Sequence, residues 1–193
     1  MKLNVNEWKE FKVNELLNVT KAFAYNRETF LEETAEPELN CVTRTAINNG
    51  VAYKGVREAG LKVEKGNCLT IGGEGVVCFY QKSDFVAGTN ISVLRLDNMN
   101  DKVGLFIASV INHYSKGRFS YGRAFNMGQI EKSIIKLPIL RDPGTNDPIL
   151  DPNKKYSSEG YIPDFEYMEN YIKSLNHKPI TTACGVRISY SWV

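Results

Sequence analysis

Between Asn40 and Leu96 the chain alternates short β-prone runs with turn clusters, and helical spacing first appears only after that stretch. This order is the strongest constraint on the fold, because residues recurring every second position and residues recurring every three or four cannot build the same element. Val76-Val77-Cys78-Phe79-Tyr80 and Ile91-Ser92-Val93-Leu94-Arg95-Leu96 are rich in branched and aromatic side chains and predict strands. Asn48-Asn49-Gly50 and Gly72-Gly73-Glu74-Gly75 predict the sharpest turns. Upstream, the weak alternation of Glu7 to Val13 predicts an edge strand running into one turn of helix over Asn14–Leu17. Downstream, Val103, Phe106, Ile107, Val110, Ile111 and Tyr114 form one apolar stripe, with Asp101 as the expected cap and Gly117 as the stop. Ile134 to Ile139 predicts a further strand, which Pro138 confines to an edge. A second helix is expected from Pro163, with Phe165, Met168, Tyr171, Ile172 and Leu175 on one face.

With 193 residues, 42% of them hydrophobic and 24% charged, the chain can bury a core without disulfides or a structural metal. No apolar run is long enough to suggest a membrane span. The N-terminus is too polar for a secretory signal, so the expected location is the cytoplasm. Cys41, Cys68, Cys78 and Cys184 form no close pair, and His113 and His177 cannot complete a zinc site with them. The net charge of +2 conceals a polarised layout. Arg27 to Glu38 holds five acids against one arginine, whereas Lys116 to Arg141 holds six bases against Glu131. A local excess of +5 is the footprint expected of a polyanionic partner, set against the plainer reading of a solvated face.

Signatures of chemistry are lacking. There is no phosphate-binding Gly-x-x-x-x-Gly-Lys-Ser/Thr loop, no Gly-x-Ser-x-Gly elbow, and no Asn/Asp-Pro-Pro-aromatic motif of the kind adenine methyltransferases use. Pro163-Asp164 has no Asp/Glu-x-Lys after it, and Glu10-x-Lys12 has no Pro-Asp before it, so no nuclease site is completed. The alternative from a different class is a small cysteine-dependent enzyme pairing Cys41 or Cys78 with His113. The reading preferred is a non-catalytic chain.

An ordered set of segments resembles the specificity subunits of type I restriction enzymes and of BcgI-like systems. It comprises Trp8-Lys9-Glu10-Phe11, Val42-Thr43-Arg44-Thr45 running into Asn48-Asn49-Gly50-Val51, and Gly66-Asn67-Cys68-Leu69-Thr70-Ile71-Gly72-Gly73. It continues with Phe79-Tyr80-Gln81, Asp84-Phe85-Val86-Ala87-Gly88-Thr89-Asn90-Ile91, Phe106-Ile107-Ala108, Phe119 to Met127, and Pro163 to Ile172. The resemblance implies an α/β (α+β) target-recognition domain, with a mixed or antiparallel sheet and flanking helices, followed by a C-terminal dimerisation or docking helix. It also implies double-stranded DNA and a DNA methyltransferase subunit as partners, with a restriction subunit possible beside them. No cofactor is expected in this chain; S-adenosylmethionine belongs to the methyltransferase. Members usually carry two recognition domains and two long spacer helices, whereas one copy and a short helix are present here. A free-standing decoy or regulator of a methyltransferase is therefore a further alternative, and the irregular tail fits either the end of a half-subunit or a shortened reading frame.

The expected division is a DNA-binding domain over residues 1–141, a linker loop over 142–162, a spacer or docking helix over 163–176 and an irregular tail over 177–193. For DNA contact the candidates are Lys116, Arg118, Ser120, Tyr121 and Arg123, with Asn126 just beyond. They join cations for phosphates to hydroxyls and amides that reach base edges. Thr43, Arg44, Asn48, Asn49 and Lys54 form a second candidate group, although Asn48-Asn49-Gly50 reads equally as a plain turn. Gly72 and Gly73 would bring bare backbone close to DNA, and Asn90 would sit in an adjacent turn. Phe119, Tyr121 and Phe125 can stack on bases, but core packing is the default for aromatics. The stripe Phe165, Met168, Tyr171, Ile172 and Leu175 is the candidate partner surface. It would be held away from the domain by the Pro- and Gly-rich stretch from Arg141 to Tyr161, and two copies would pair antiparallel through it.

Overall fold

The computed structural model describes residues 3–25, 39–55, 61–73, 77–97, 99–120 and 122–175. The acidic run Arg27–Glu38, Tyr121 and the tail from residue 176 lie outside the described residues. Within them the chain is a mixed α+β fold with several antiparallel and mixed sheets.

The strand β1 (Lys9–Lys12) leads into a single helical turn, α1 (Val13–Leu16), as the alternation and the apolar pair Val13 and Leu16 require. β1 pairs antiparallel with β9 (Ile134–Leu137), register Lys9 to Leu137, so the start of the chain is closed by a strand from far downstream. The central sheet has the order β2 (Asn18–Lys21), β8 (Ile91–Arg95), β5 (Cys68–Gly72) and β6 (Cys78–Gln81), all antiparallel. A smaller sheet sets β3 (Leu39–Val42) between β4 (Val51–Gly55), antiparallel, and β7 (Phe85–Ala87), parallel.

All five residues of β5 are buried, because the strand is covered on both faces. Leu69 and Ile71 join Leu94 in the larger core beneath the helices. Their neighbour Cys68 joins Ile91 and Val93 in a second core with Val42, Phe85 and Ala87 of the smaller sheet. Two-residue alternation thus divides one strand between two cores. The buried hydroxyl of Thr70 accepts from Gln81 Nε2 at 3.0 Å, which satisfies the polar group that the alternation places inside.

The long helix α2 (Asp101–Ser115) carries the predicted stripe inward. Its cap is Asn100 rather than the expected Asp101: the Asn100 side chain accepts from the backbone N–H groups of Lys102 and Val103 at 3.0 and 2.9 Å. A Cβ on Gly104 would lie 2.3 Å from the Tyr80 ring, so the glycine lets α2 press onto β6. The short helix α3 (Met127–Glu131) is capped by Asn126, whose Oδ1 accepts from Gln129 N–H at 3.0 Å.

The last described helix, α4, runs Phe165–Leu175. It starts two residues later than expected, because Asp164 is the residue that receives the Tyr167 N–H, at 2.8 Å, while Pro163 is buried and bridges to Ile139. The stretch before it does not hold the helix away from the domain. Arg141 bridges to Pro148 and Leu150 to Tyr161, Ser158 N–H donates to Glu15 at 2.8 Å, and Arg141 donates to the carbonyls of Asn146 and Glu7. Proline and glycine here form a tied loop, because its polar groups find partners on the body of the domain. α4 consequently packs on α2: Met168 is 0% exposed, Tyr171 meets Phe106 edge-on with centroids 5.8 Å apart, and Asn100 Nδ2 donates to Glu169 at 2.8 Å. The stripe expected to face a partner is largely spent on its own domain.

Candidate nucleic-acid interface

Strand registers decide which loops meet. Gly72 pairs opposite Ile91 and Lys21 opposite Ser92, so the end of β2, the end of β5 and the start of β8 lie together at one edge of the central sheet. Asn90 occupies the turn before β8 in the left-handed region, φ 60°, a conformation asparagine tolerates better than most residues. Gly73 N–H donates to the Asn90 carbonyl at 3.3 Å, and Phe125 N–H donates to the Gly73 carbonyl at 3.0 Å. The C-terminal end of α2 is held at the same edge, since Asn112 accepts from Cys78 N–H at 2.7 Å and donates to its carbonyl at 2.9 Å.

From that end of α2 springs a basic finger. Gly117, φ 74°, terminates the helix in the left-handed conformation that glycine adopts freely. Ser120 and Arg123 exchange two backbone hydrogen bonds, of 3.1 and 3.0 Å, across the tip. Phe119 and Phe125 stack at 4.3 Å between centroids, and Phe125 is 1% exposed. These aromatics staple the root of the finger instead of waiting for bases. Lys116, Arg118, Ser120 and Arg123 are exposed, with Arg118 over the Tyr114 ring at 4.4 Å and Arg123 over Phe119 at 5.9 Å. Beside the finger lies a cleft of about 410 Å³ bordered by Lys21, Gly73, Asn90, Ser92, Asn126 and Met127.

What sets this edge apart is that cations outside the described salt bridges cluster beside a cleft; Lys9, Lys54, Lys62, Lys82, Lys132, Lys154 and Arg141 are also outside those salt bridges but do not border it. Elsewhere Lys12, Lys65, Arg95, Lys102, Lys136, Lys155 and Lys173 each sit within salt-bridge distance of a carboxylate. None of Lys21, Lys116, Arg118 and Arg123 is among the salt bridges of the described residues. Cations outside the described salt bridges, set beside a cleft, can accept a polyanion without first breaking one of those ion pairs.

Of the residues singled out from the sequence, the fold gathers Gly73, Asn90, Lys116, Arg118, Ser120, Arg123 and Asn126 at this edge. Thr43 and Arg44 adjoin it. The Arg44 Cα would lie 2.7 Å from a Cβ on Gly72, so Gly72 is a glycine for the sake of Arg44, and its backbone is buried. Asn48 and Asn49 are turned to other work. Asn48 Nδ2 donates to the Val51 carbonyl at 2.9 Å, and Asn49 Nδ2 donates to the Tyr80 carbonyl at 3.0 Å, while Gln81 returns a bond to the Asn49 carbonyl. Lys54 is remote: it pairs opposite Asn40, at the far end of β3 from Arg44 and some four residues, about 13 Å, away along the strand. Tyr121 lies outside the described residues. Lys21, Ser92 and Met127 escaped the sequence reading. A single lysine at a strand end carries no signal until the register of β2 on β8 is known.

A cysteine nucleophile does not fit. Cys41, Cys68 and Cys78 are buried. Burial pushes the Cys68 thiol from 9.0 up to about 11 and the Cys78 thiol further still, so both stay protonated and unreactive. Among the described residues no cluster of three or more His, Cys, Asp or Glu could hold a metal ion.

The family described as type I restriction modification DNA specificity domain matches residues 5–155, most of the chain. The chain belongs to this family. The fold agrees with solved specificity subunits. The S subunit of a type I restriction-modification system from M. genitalium gives a TM-score of 0.56 at 12% identity, over 88% of this chain and 39% of that one. A chain from a structure of type I system assembly and conformational transition gives 0.55 at 14%, over 91% and 40%. The HsdS subunit of Thermoanaerobacter tengcongensis gives 0.50 at 10%, over 88% and 37%. This chain thus spans about two fifths of the length of the solved relatives it matches. No curated protein matches it. Among the described residues of this specificity domain, no helix is long and apolar enough to cross a membrane.

Proposed function

We propose that this specificity domain reads a sequence in duplex DNA and directs a partner N6-adenine methyltransferase to it, without performing chemistry itself. The observation that carries the reading is the convergence of Lys21, Lys116, Arg118 and Arg123, none of them in a described salt bridge, with the cleft between Asn90 and Asn126 on one edge of the central sheet. Cations at the finger would lie along phosphates and fix register, while Ser120, Asn90 and the Nδ2 of Asn126, whose Oδ1 caps α3, offer groups to base edges. S-adenosylmethionine would be held by the methyltransferase, and a restriction subunit would join the same assembly. The opposite side of the molecule, where α4 lies on α2, would carry the partner. There Leu175 is 48% exposed and Phe165, Tyr171 and Ile172 are half-buried, which leaves a strip along which a second copy or the methyltransferase can dock. Pairing of two copies would present two identical readers, so the site would be a split palindrome.

The test is methylation mapping with a candidate type I methyltransferase subunit, in the presence and absence of this chain. Methylation confined to one motif only when the chain is present is the expected result. Transfer of a labelled methyl group to DNA by the purified chain alone, or an unchanged motif without it, would overturn the reading.

A further inference from the structure

The most exposed large hydrophobic residue among those described is Ile47, 74% exposed, and the loop around it is built to keep it outside. Asn48, Asn49 and Gly50 follow it with φ of 48°, 53° and 77°, three successive left-handed residues that turn the chain sharply back beneath the tip. The return is locked by the Asn48 and Asn49 amides, which donate to the Val51 and Tyr80 carbonyls at 2.9 and 3.0 Å. Gly50 N–H donates to the Ile47 carbonyl at 2.9 Å, and Thr43 N–H donates to the Gly50 carbonyl at 2.8 Å, closing the loop at its base. On the outgoing side the Thr43 hydroxyl accepts from Thr45 N–H at 3.4 Å and the Thr45 hydroxyl from Ile47 N–H at 3.5 Å. The polar groups face into the loop, and its tip, Ala46-Ile47, presents methyl groups to solvent.

A single exposed isoleucine is ordinary on a protein surface; this one stands out because the loop's own hydrogen bonds hold it at the tip, a short stretch of chain from the basic edge. The position of the loop says what it would meet. Its root, Arg44, rests on Gly72 at the basic edge, and Ile47 lies within three residues, about 11 Å of chain, of it. The feature a DNA groove offers to a bare aliphatic group is the thymine 5-methyl, which projects into the major groove. Minor-groove wedges also use aliphatic residues, but they work beside arginine, lysine, asparagine or glutamine reading that groove. Here the tip carries alanine, the Nδ2 groups of the two asparagines that follow are occupied with the protein's own carbonyls, and the nearest arginine, Arg44, lies at the root of the loop against Gly72 rather than at the tip. We infer that Ile47 is a specificity-determining residue that packs on a thymine methyl in the recognised sequence. The inference rests on the DNA-reading proposal above and deepens it.

The test uses the full-length chain. A preferred duplex is selected from a randomised library, and each of its thymines is then replaced in turn by deoxyuridine, which removes only the methyl. One replacement should weaken binding about fourfold, the value of one buried methyl group. Ile47→Ala should bind the thymine duplex as weakly as the original chain binds that deoxyuridine duplex, and should no longer distinguish the two, with an unchanged melting temperature. Insensitivity at every thymine, a selected site that lacks thymine, or equal discrimination by Ile47→Ala overturns this inference while leaving sequence recognition in place. A library from which no sequence is selected overturns the DNA-reading proposal and this inference together.

Discussion

The two ends of α2, about 22 Å apart over its 15 residues, use similar side chains for opposite purposes. At the N-terminal end Asn100 caps the helix and donates to Glu169, Phe106 packs on Tyr171, and Met168 is sealed beneath. At the C-terminal end Lys116, Arg118 and Arg123 stand in solvent, and the asparagines at 90 and 126 border a cleft. Asparagine, aromatic and basic residues occur at both ends, so composition does not distinguish them. What differs is whether the charged groups have found partners within the described residues: Glu169 is bonded to Asn100 at one end, whereas Lys116, Arg118 and Arg123 are outside the described salt bridges at the other. A region whose groups are satisfied internally contributes to stability; a region whose cations pair with no carboxylate among the described residues is available to an external anion. The two ends should therefore respond differently to substitution, and the sharpest contrast is between loss of fold and loss of binding.

The largest effect is expected at Met168. Glutamate there would bury an unpaired charge in the larger core, at a cost on the order of 4 kcal/mol, a large part of the stability of a domain this size. Urea unfolding should show a strongly lowered midpoint. A folded monomer with its original midpoint would mean that α4 leaves the domain in solution, and the contrast between the two ends would collapse. Leu175→Glu, at an exposed position, should change stability by no more than about 0.5 kcal/mol and is the variant with which to probe docking.

Asn100→Ala removes a helix cap and the tie to Glu169, and should cost about 1 kcal/mol, read as a lowered melting temperature. Its DNA affinity should be unchanged, because the residue lies at the far end of α2 from the finger. A fall in affinity larger than the loss of folded protein would show that the two ends are coupled.

Arg118→Ala and Arg123→Ala should have the smallest effect on stability, within about 0.5 kcal/mol, since both side chains are exposed and, among the described residues, each lies over an aromatic ring. Binding should instead weaken, and if both contact phosphates the slope of affinity against salt should fall by about one for each. Affinity and slope both unchanged would move the interface away from the finger. Relaxed preference at a single base pair would make that arginine a base reader, with guanine its expected partner.

Much of the architecture was legible along the chain. The branched and aromatic content of Val76–Tyr80 and Ile91–Leu96 located β6 and β8, and the stripe from Val103 to Tyr114 located α2, because burial on one face of a helix imposes its period on the sequence. The basic finger was legible for the same reason of locality: Lys116, Arg118 and Arg123 are close in sequence. The cap of α2 was misplaced by one residue, as Asn100 and Asp101 are both good caps and only backbone geometry chooses between them. That the Nδ2 groups of Asn48 and Asn49 are bonded to the Val51 and Tyr80 carbonyls was not legible, because a free amide and a bonded one are the same letter.

Locality and periodicity, then, are what the amino-acid sequence determined by itself: which stretches become strands or helices, and where positive charge accumulates. Tertiary structure decided the rest. The register of β2 on β8 brought Lys21 to the cleft, and the placement of Lys54 opposite Asn40 removed it from the site. Hydrogen bonds from the stretch between Arg141 and Tyr161 to the body of the domain turned an apparent spacer into a strap, and so set the apolar stripe of α4 against α2. Each of these outcomes depends on a pairing between residues distant in the chain, whose free energy is gained only when both partners arrive, so no single stretch of sequence carries it.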